Sequence, residues 1–168
     1  MEHGKMAKNF FVSDTHFGHF KIIEYGERPF KTLDEMHSIM IERWNSVVTN
    51  EDSVYHLGDV CFGAEYLPIM NKLNGGKKVL ILGNHDTLPV ESYLQYFDEV
   101  HGMIKFAGYW ITHCPMHESQ LFGKKNIHGH VHQNAIGGGQ YINVSVEQID
   151  YTPVSFQSIK DGSWRKLR

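Results

Sequence analysis

The sequence predicts a single-domain α/β protein in which helices cover both faces of a two-sheet core. Three observations carry that reading. In the first half, short apolar runs ending in Gly and polar residues alternate with segments of helical periodicity. From about residue 98 onward the runs are short, β-branched or aromatic, and separated by Gly or Asp-Gly turns, as successive strands are. No repeat, low-complexity tract, charge block or flexible linker divides the 168 residues, so residues 1–168 read as one domain with one sizeable core. Strand order is not legible at this level.

Taken in order, residues 9–13 (Asn9-Phe10-Phe11-Val12-Ser13) form an apolar run that stops at Asp14, as a buried strand would. Residues 32–48 read as a helix. Thr32 and Glu35 make a capping-box pair, and Met36, Ile39, Met40, Trp44 and Val47 then recur at spacings of three and four. Residues 54–57 and 79–82 are again strand-like, each followed by Gly. Between them, residues 65–73 suggest a short helix that Pro68 weakens, and residues 89–97 suggest another. Strands are then expected at 100–106, 109–113, 126–128, 141–146, 154–159 and 164–167.

Composition narrows the function classes. Hydrophobic residues at 41%, with ten Phe, eight Tyr and three Trp, exclude global disorder. No apolar run approaches the roughly 18 residues of a membrane span, and the opening MEHGKMAKNF lacks a hydrophobic signal core. Cys61 and Cys114 are too few for a disulfide scaffold, so a reducing, cytoplasmic setting is the expectation. A net charge of −3 speaks against a long nucleic acid as main partner without excluding one. Twelve histidines, about 7% of the chain, stand well above average usage. Histidine is the commonest metal ligand and the usual acid or base at neutral pH.

Those histidines fall at strand ends. Asp14-Thr15-His16, Gly58-Asp59, Gly83-Asn84-His85-Asp86, His113 and Gly129-His130-Val131-His132 each close a predicted strand with a polar cluster. Residues two apart in an extended segment point the same way, so Asp14 with His16, and His130 with His132, can aim two donor atoms into one space. Strand ends are also where open α/β sheets collect ligands. Glycines at 58, 83 and 129 permit tight exits and close backbone approach. Asp14, His16, Asp59, Asn84, His113, His130 and His132 supply oxygen and imidazole donors and no thiolate, a set suited to Mn, Fe, Zn or Ni. They are too many for one tetrahedral ion and suit two if a carboxylate bridges. Two such cations, about 3.5–4 Å apart, would retain positive charge toward an anionic ester and clamp the attacking and leaving oxygens of an in-line displacement.

Asp-x-His, Gly-Asp, Gly-Asn-His-Asp, a lone His and Gly-His-x-His, in that order, resemble the calcineurin-like metallophosphoesterases, over residues 10–146. The resemblance implies a four-layer αββα sandwich with a two-metal site between strand ends. It implies that Asp14, His16, Asp59 and His132 hold one ion, that Asp59, Asn84, His113 and His130 hold the other, and that His85 protonates the leaving oxygen. Two divalent ions are the implied cofactors, Mn first, with Fe, Ni, Zn or Mg compatible. Protein phosphatases of that superfamily carry Gly-Asp-x-x-Asp-Arg-Gly, whereas this chain has Gly58-Asp59-Val60-Cys61-Phe62-Gly63, which removes support for a phosphoprotein substrate. Ser13-Asp14-Thr15-His16-Phe17-Gly18-His19 and Arg28-Pro29-Phe30 are similar to small, compact bacterial and phage phosphoesterases. The expected activity is hydrolysis of a small or nucleotide-type phosphodiester by metal-activated hydroxide. A general phosphomonoesterase, or a non-catalytic interaction module of the same fold, is the alternative.

The remaining candidates divide two ways. His19 either points at the phosphate or starts a surface helix. Arg28 either forks onto the phosphate or pairs with Glu27. His85 is either the acid or a support for Asn84, which would contact both metal and substrate. His128 alternates with His130 and His132 but reads as a satisfied core histidine. His3, His37, His56, His101 and His117 receive a structural reading, and Cys61 and Cys114 read as small buried hydrophobes, although Cys114 adjoins His113.

Overall fold

The computed structural model describes residues 6–167, with side chains to residue 165; His3 lies outside that range. In chain order the elements are β1 (Asn9–Val12), α1 (Ile22–Tyr25), α2 (Leu33–Val47), β2 (Ser53–His56), a 3-10 helix (Ala64–Lys72), β3 (Lys77–Ile81) and α3 (Val90–Tyr93). There follow β4 (Glu99–His101), β5 (Met103–Phe106), β6 (Tyr109–Thr112), β7 (Lys125–His128), β8 (Tyr141–Asn143), β9 (Val154–Ser155) and α4 (Phe156–Asp161). One sheet has the order β4-β3-β2-β1-β9 and the other β5-β6-β7-β8. Both are mixed. β1 to β4 run parallel with β9 antiparallel on the edge, and β6 to β8 run parallel with β5 antiparallel. Two mixed sheets flanked by helices are thus the architecture expected.

The sheets meet through aromatic side chains. Phe11 of β1 and Tyr55 of β2 stack at 5.1 Å, and Phe106 of β5 approaches them at 5.6 and 5.0 Å. Strand alternation sends the next residue, His56, to the opposite face, where Trp44 of α2 lies over it. α2 buries Met36, Met40 and Trp44 of the stripe its periodicity indicated, with Ile39 partly buried, whereas Val47 at its last turn is exposed. Its cap is real: Thr32 Oγ1 accepts from the Glu35 amide at 3.1 Å. The Glu35 carboxylate reaches back to the amide of Lys31 at 2.6 Å, one residue before the cap.

Several expectations are corrected. The run 100–106 is two strands, because the chain leaves one sheet and enters the other at Gly102. Only Val154 and Ser155 of 154–159 are strand; Ser155 Oγ then accepts from the Ser158 amide at 3.1 Å and starts α4. Ser163–Leu167 is a 3-10 helix, not a strand, and 65–73 is 3-10 with Pro68 inside it. The helix of 89–97 shortens to α3, and in 141–146 the pairing with β7 ends at Asn143, after which Ser145 bridges Ser13. α1, four residues without a side-chain cap, left no pattern to read. Among the described residues no helix is long and apolar enough to cross a membrane.

Candidate metal centre

Because β1, β2 and β3 are parallel in one sheet, and β6 and β7 in the other, five loops after their C-terminal ends gather at one rim. The loops are laced together by backbone. The amides of Asp14 and His16 donate to the carbonyls of Gly58 and Asp59, and the Gly129 amide donates to the His113 carbonyl. Space is tight enough to exclude side chains. A Cβ on Gly58, which has φ +93°, would stand 2.8 Å from His113 Nδ1, and one on Gly129 would collide with Ser13 and Asp14. Asp14, His16, Asp59, His130 and His132 all have φ between 48 and 71°, the left-handed region that costs non-glycine residues energy. Five of the seven expected ligands are thus held in strained backbone by the surrounding network.

The donor atoms converge in two groups that share Asp14. Asp14, His16 and His132 form one, and Asp14, Asp59 and His113 form another, with ligand atoms within 4.8 Å of one another. Asp59 Oδ2 lies 3.5 Å from Nε2 of His16 and 3.5 Å from Nε2 of His113. Asp14 Oδ1 lies 3.9 Å from Nε2 of both His16 and His132. His113 Nε2 also lies 3.0 Å from Asn84 Oδ1 and 3.2 Å from His130 Nδ1.

This arrangement fits cations. His113 Nδ1 donates to the Leu57 carbonyl at 2.7 Å, which leaves Nε2 facing Asp59, Asn84 and His130. Acceptors that face one another at such distances repel unless positive charge lies between them. Asp14 Oδ1 and both nitrogens of His16 are buried without a hydrogen-bond partner, which would be costly in a site not meant for an ion. Burial, foremost, then the charge of Arg28, holds His16 far below its ordinary pKa and hence neutral, the state a ligand needs. Burial likewise lowers His130 and raises Asp59. The donor set contains no thiolate in the two groups around Asp14, consistent with hard or borderline ions. Cys114, however, is exposed, not buried as expected, and its sulfur lies within 4.8 Å of donor atoms of His113 and His130.

Three supporting residues went unrecognised in the sequence. Asp86 accepts at Oδ2 from the amides of Asp59 (2.7 Å) and Gly83 (2.8 Å), and at Oδ1 from Val60 (3.0 Å), which ties two site loops together. Asp14 Oδ2 accepts from the His130 amide and lies 2.9 Å from Ser145 Oγ, leaving Oδ1 for the site. Glu147 Oε1 accepts from His132 Nδ1 at 3.0 Å and from Arg28 Nη2 at 2.7 Å. Burial disfavours protonated His132, but the bond to Glu147 and its charge outweigh that and raise its pKa. Such a partner fixes the tautomer that presents Nε2.

Arg28 is the clear correction. Its side chain is fully buried, and its donors go to Glu147, Met36 and the carbonyls of Asp14 and Thr15. Neither Glu27 nor an open cleft receives it, so no N–H is left for a phosphate. His19 and His85, by contrast, line a cleft of about 610 Å³ together with His16, His130, His132 and Tyr25. The His85 amide donates to Asp59 Oδ1 at 2.9 Å, and its ring stands 5.5 Å from that of His16. His56 is a core residue bonded on both ring nitrogens; His128 is buried as read but not satisfied, since its Nδ1 meets the Gly129 carbonyl while its Nε2 has no hydrogen-bond partner.

No protein-family model matches the chain. It is 38% identical over 167 residues to MJ1445, an uncharacterized protein of Methanocaldococcus jannaschii, covering 92% of this chain and 90% of the relative. Over 85 residues it is 33% identical to the Gene 66 protein of Mycobacterium phage L5, which spans 48% of this chain and 41% of that one. The crystal structure of AQ665, a protein of unknown function from Aquifex aeolicus, superposes with a TM-score of 0.76 at 30% identity, over 92% of this chain and 98% of that one. The extent and identity of the first match show that the chain belongs to the family of MJ1445.

Proposed function

We propose that the protein is a dinuclear-metal phosphoric ester hydrolase of the calcineurin-like metallophosphoesterase type, acting on a small or nucleotide-type phosphodiester. The observation that carries the reading is Asp59: one carboxylate oxygen sits 3.5 Å from a nitrogen of His16 and 3.5 Å from one of His113. A carboxylate placed between two donor groups is what a pair of neighbouring ions requires. Asp14, His16, Asp59 and His132 would hold one, and Asp59, Asn84, His113 and His130 the other. When bound, two divalent cations supply charge neutralisation of the phosphate and an acidified water as nucleophile.

The chain's own groups do the rest. His19, which lines the cleft, and the Asn84 amide would bind phosphate oxygens. Arg28 acts behind the site, bracing the carbonyls on either side of the Asp14–Thr15 bond. His85 lines the cleft without a place in the donor set, and its backbone is anchored on Asp59, so its ring is free to deliver a proton to the departing oxygen. A buried Arg28 also leaves no side-chain fork for a doubly charged terminal phosphate, which favours a diester over a monoester.

The test is a hydrolysis panel with Mn²⁺, Mg²⁺, Ni²⁺ and Zn²⁺, using bis-aryl and mono-aryl phosphates and nucleotide diesters. Bis-aryl phosphate should turn over at least as well as the monoester. His85→Asn should keep its metals, lose about 10²–10⁴-fold on nucleotide diesters, whose alkoxide needs a proton, and lose distinctly less on nitrophenyl esters. A hundredfold preference for the monoester would transfer the assignment to a phosphomonoesterase. Turnover of neither, with metals bound, would favour an interaction module.

A further inference from the structure

Three rings run outward from the donor groups. The His19 ring stands 5.7 Å from that of His16, and the Phe62 ring stacks on His19 at 4.5 Å and 26°. Phe62 is also 6.3 Å from His85, yet 52% of its surface stays exposed. Tyr25, which lines the same cleft, is 62% exposed. A lone exposed aromatic needs no explanation, but one stacked on a cleft histidine beside a buried polar centre, with half its surface left open, does. The Phe62 backbone is held in place: its amide donates to the Phe17 carbonyl at 2.8 Å, and Cys61 bridges Phe17 just before it. An apolar ring on an anchored backbone, with one face stacked on His19, is already partly organised for a planar partner on the other.

We infer that Phe62, backed by His19, is a stacking platform for the base of a nucleoside phosphodiester. This rests on the hydrolase reading above and names its substrate class. Spacing bears on the occupant: the His19 ring stands between Phe62 and His16, so a base carried beyond a sugar would reach Phe62 from an ester held at the donor groups. Charge selects further. No Lys or Arg is among the described residues lining the cleft, although the charge of Lys21 reaches His19, so the lining itself favours a substrate with few phosphates. The favoured substrate has a single phosphodiester and a neutral base. Stacking of this kind tolerates any base, because each has a π-face.

The experiment compares thymidine 5′-(methyl phosphate), its abasic 1,2-dideoxyribose analogue and benzyl methyl phosphate on the metal-loaded protein, followed by phosphorus NMR. The thymidine ester should exceed the abasic one by about tenfold in kcat/KM. That ratio should fall toward one in Phe62→Ala and persist in Phe62→Tyr. Calorimetry should show the same ratio in affinity for thymidine 5′-phosphate over 2-deoxyribose 5-phosphate. Equal turnover of the thymidine and abasic esters overturns the platform while leaving the hydrolase intact. A benzyl ester as good as the thymidine ester overturns the sugar-spaced placement. Failure of all three esters overturns both readings. If Phe62→Ala abolishes self-association and leaves the ratio unchanged, the rings belong to an interface between copies, and the platform is wrong.

Discussion

At the scale of single residues, the most informative side chain is one that touches no substrate. Glu147 joins His132 to the buried guanidinium of Arg28, and burial would oppose its charge were it not for His132 and Arg28, which lower its pKa. Removing the charge should weaken the lone-pair donation of His132 and leave Arg28 unneutralised. Glu147→Gln is expected to lower affinity at the site built on Asp14, His16 and His132 by roughly 10–100-fold, measured by Mn²⁺ titration calorimetry. The other site should change much less. An unaltered isotherm in a folded variant would mean that Glu147 serves stability alone. The partnership was not legible beforehand, because 119 residues separate Arg28 from Glu147 and neither carries a local signature of the other. What Arg28 displayed in sequence was only a guanidinium near the candidate ligands, and the nearest acid, Glu27, was the wrong one.

At the scale of elements, local patterns succeeded where one interaction dominates. α2 is the example: its cap, its stripe and its boundaries all follow from side chains within a few positions of each other. Thr32→Ala should remove the bond to the Glu35 amide and destabilise the fold by about 1 kcal/mol, a Tm decrease of roughly 3 °C in a domain of this size. A shift of zero would show the cap to be replaced by water. The strand-end motifs were readable for the same reason, since Asp14, Asp59, Asn84, His113 and the 130/132 pair each lie within four residues of a strand's end. Elements decided by distant partners were not. Gly102 hands the chain from one sheet to the other, and nothing in Val100 to Phe106 distinguishes that from one strand. Likewise β9 stops after two residues because Ser155 caps α4, although Val154, Phe156 and Ile159 have strand propensity.

At the scale of the whole molecule, two sheets position one polar centre, and that centre bears on stability as well as chemistry. His56 accepts from the Gly58 amide at Nδ1 and donates from Nε2 to Thr15 Oγ1, which donates onward to Val60. Burial, foremost, pushes its pKa down to about 3, and burial lowers His128 as well. Between pH 6.5 and 3 the unfolded chain binds a proton at position 56 that the folded chain refuses. Stability therefore falls as pH falls through that window, by about 1.4 kcal/mol per pH unit for each such histidine. Urea unfolding at pH 7, 6 and 5 should show that slope, and His56→Gln should flatten it by one proton. Identical slopes in both proteins would show that His56 takes up its proton while folded. The order of strands across both sheets, which decides that these loops meet, had no counterpart in the linear pattern.

The claim on which the functional account depends is that Asp59 is shared between two ions. Metal content per chain, measured by inductively coupled plasma mass spectrometry after reconstitution with Mn²⁺, tests it most directly, alongside bis-aryl phosphate turnover. The account predicts two ions in the native chain, and in Asp59→Asn at most one, with turnover abolished because the bridge has lost its charge. Two ions and full activity in Asp59→Asn, or a single ion in the native protein, would contradict it.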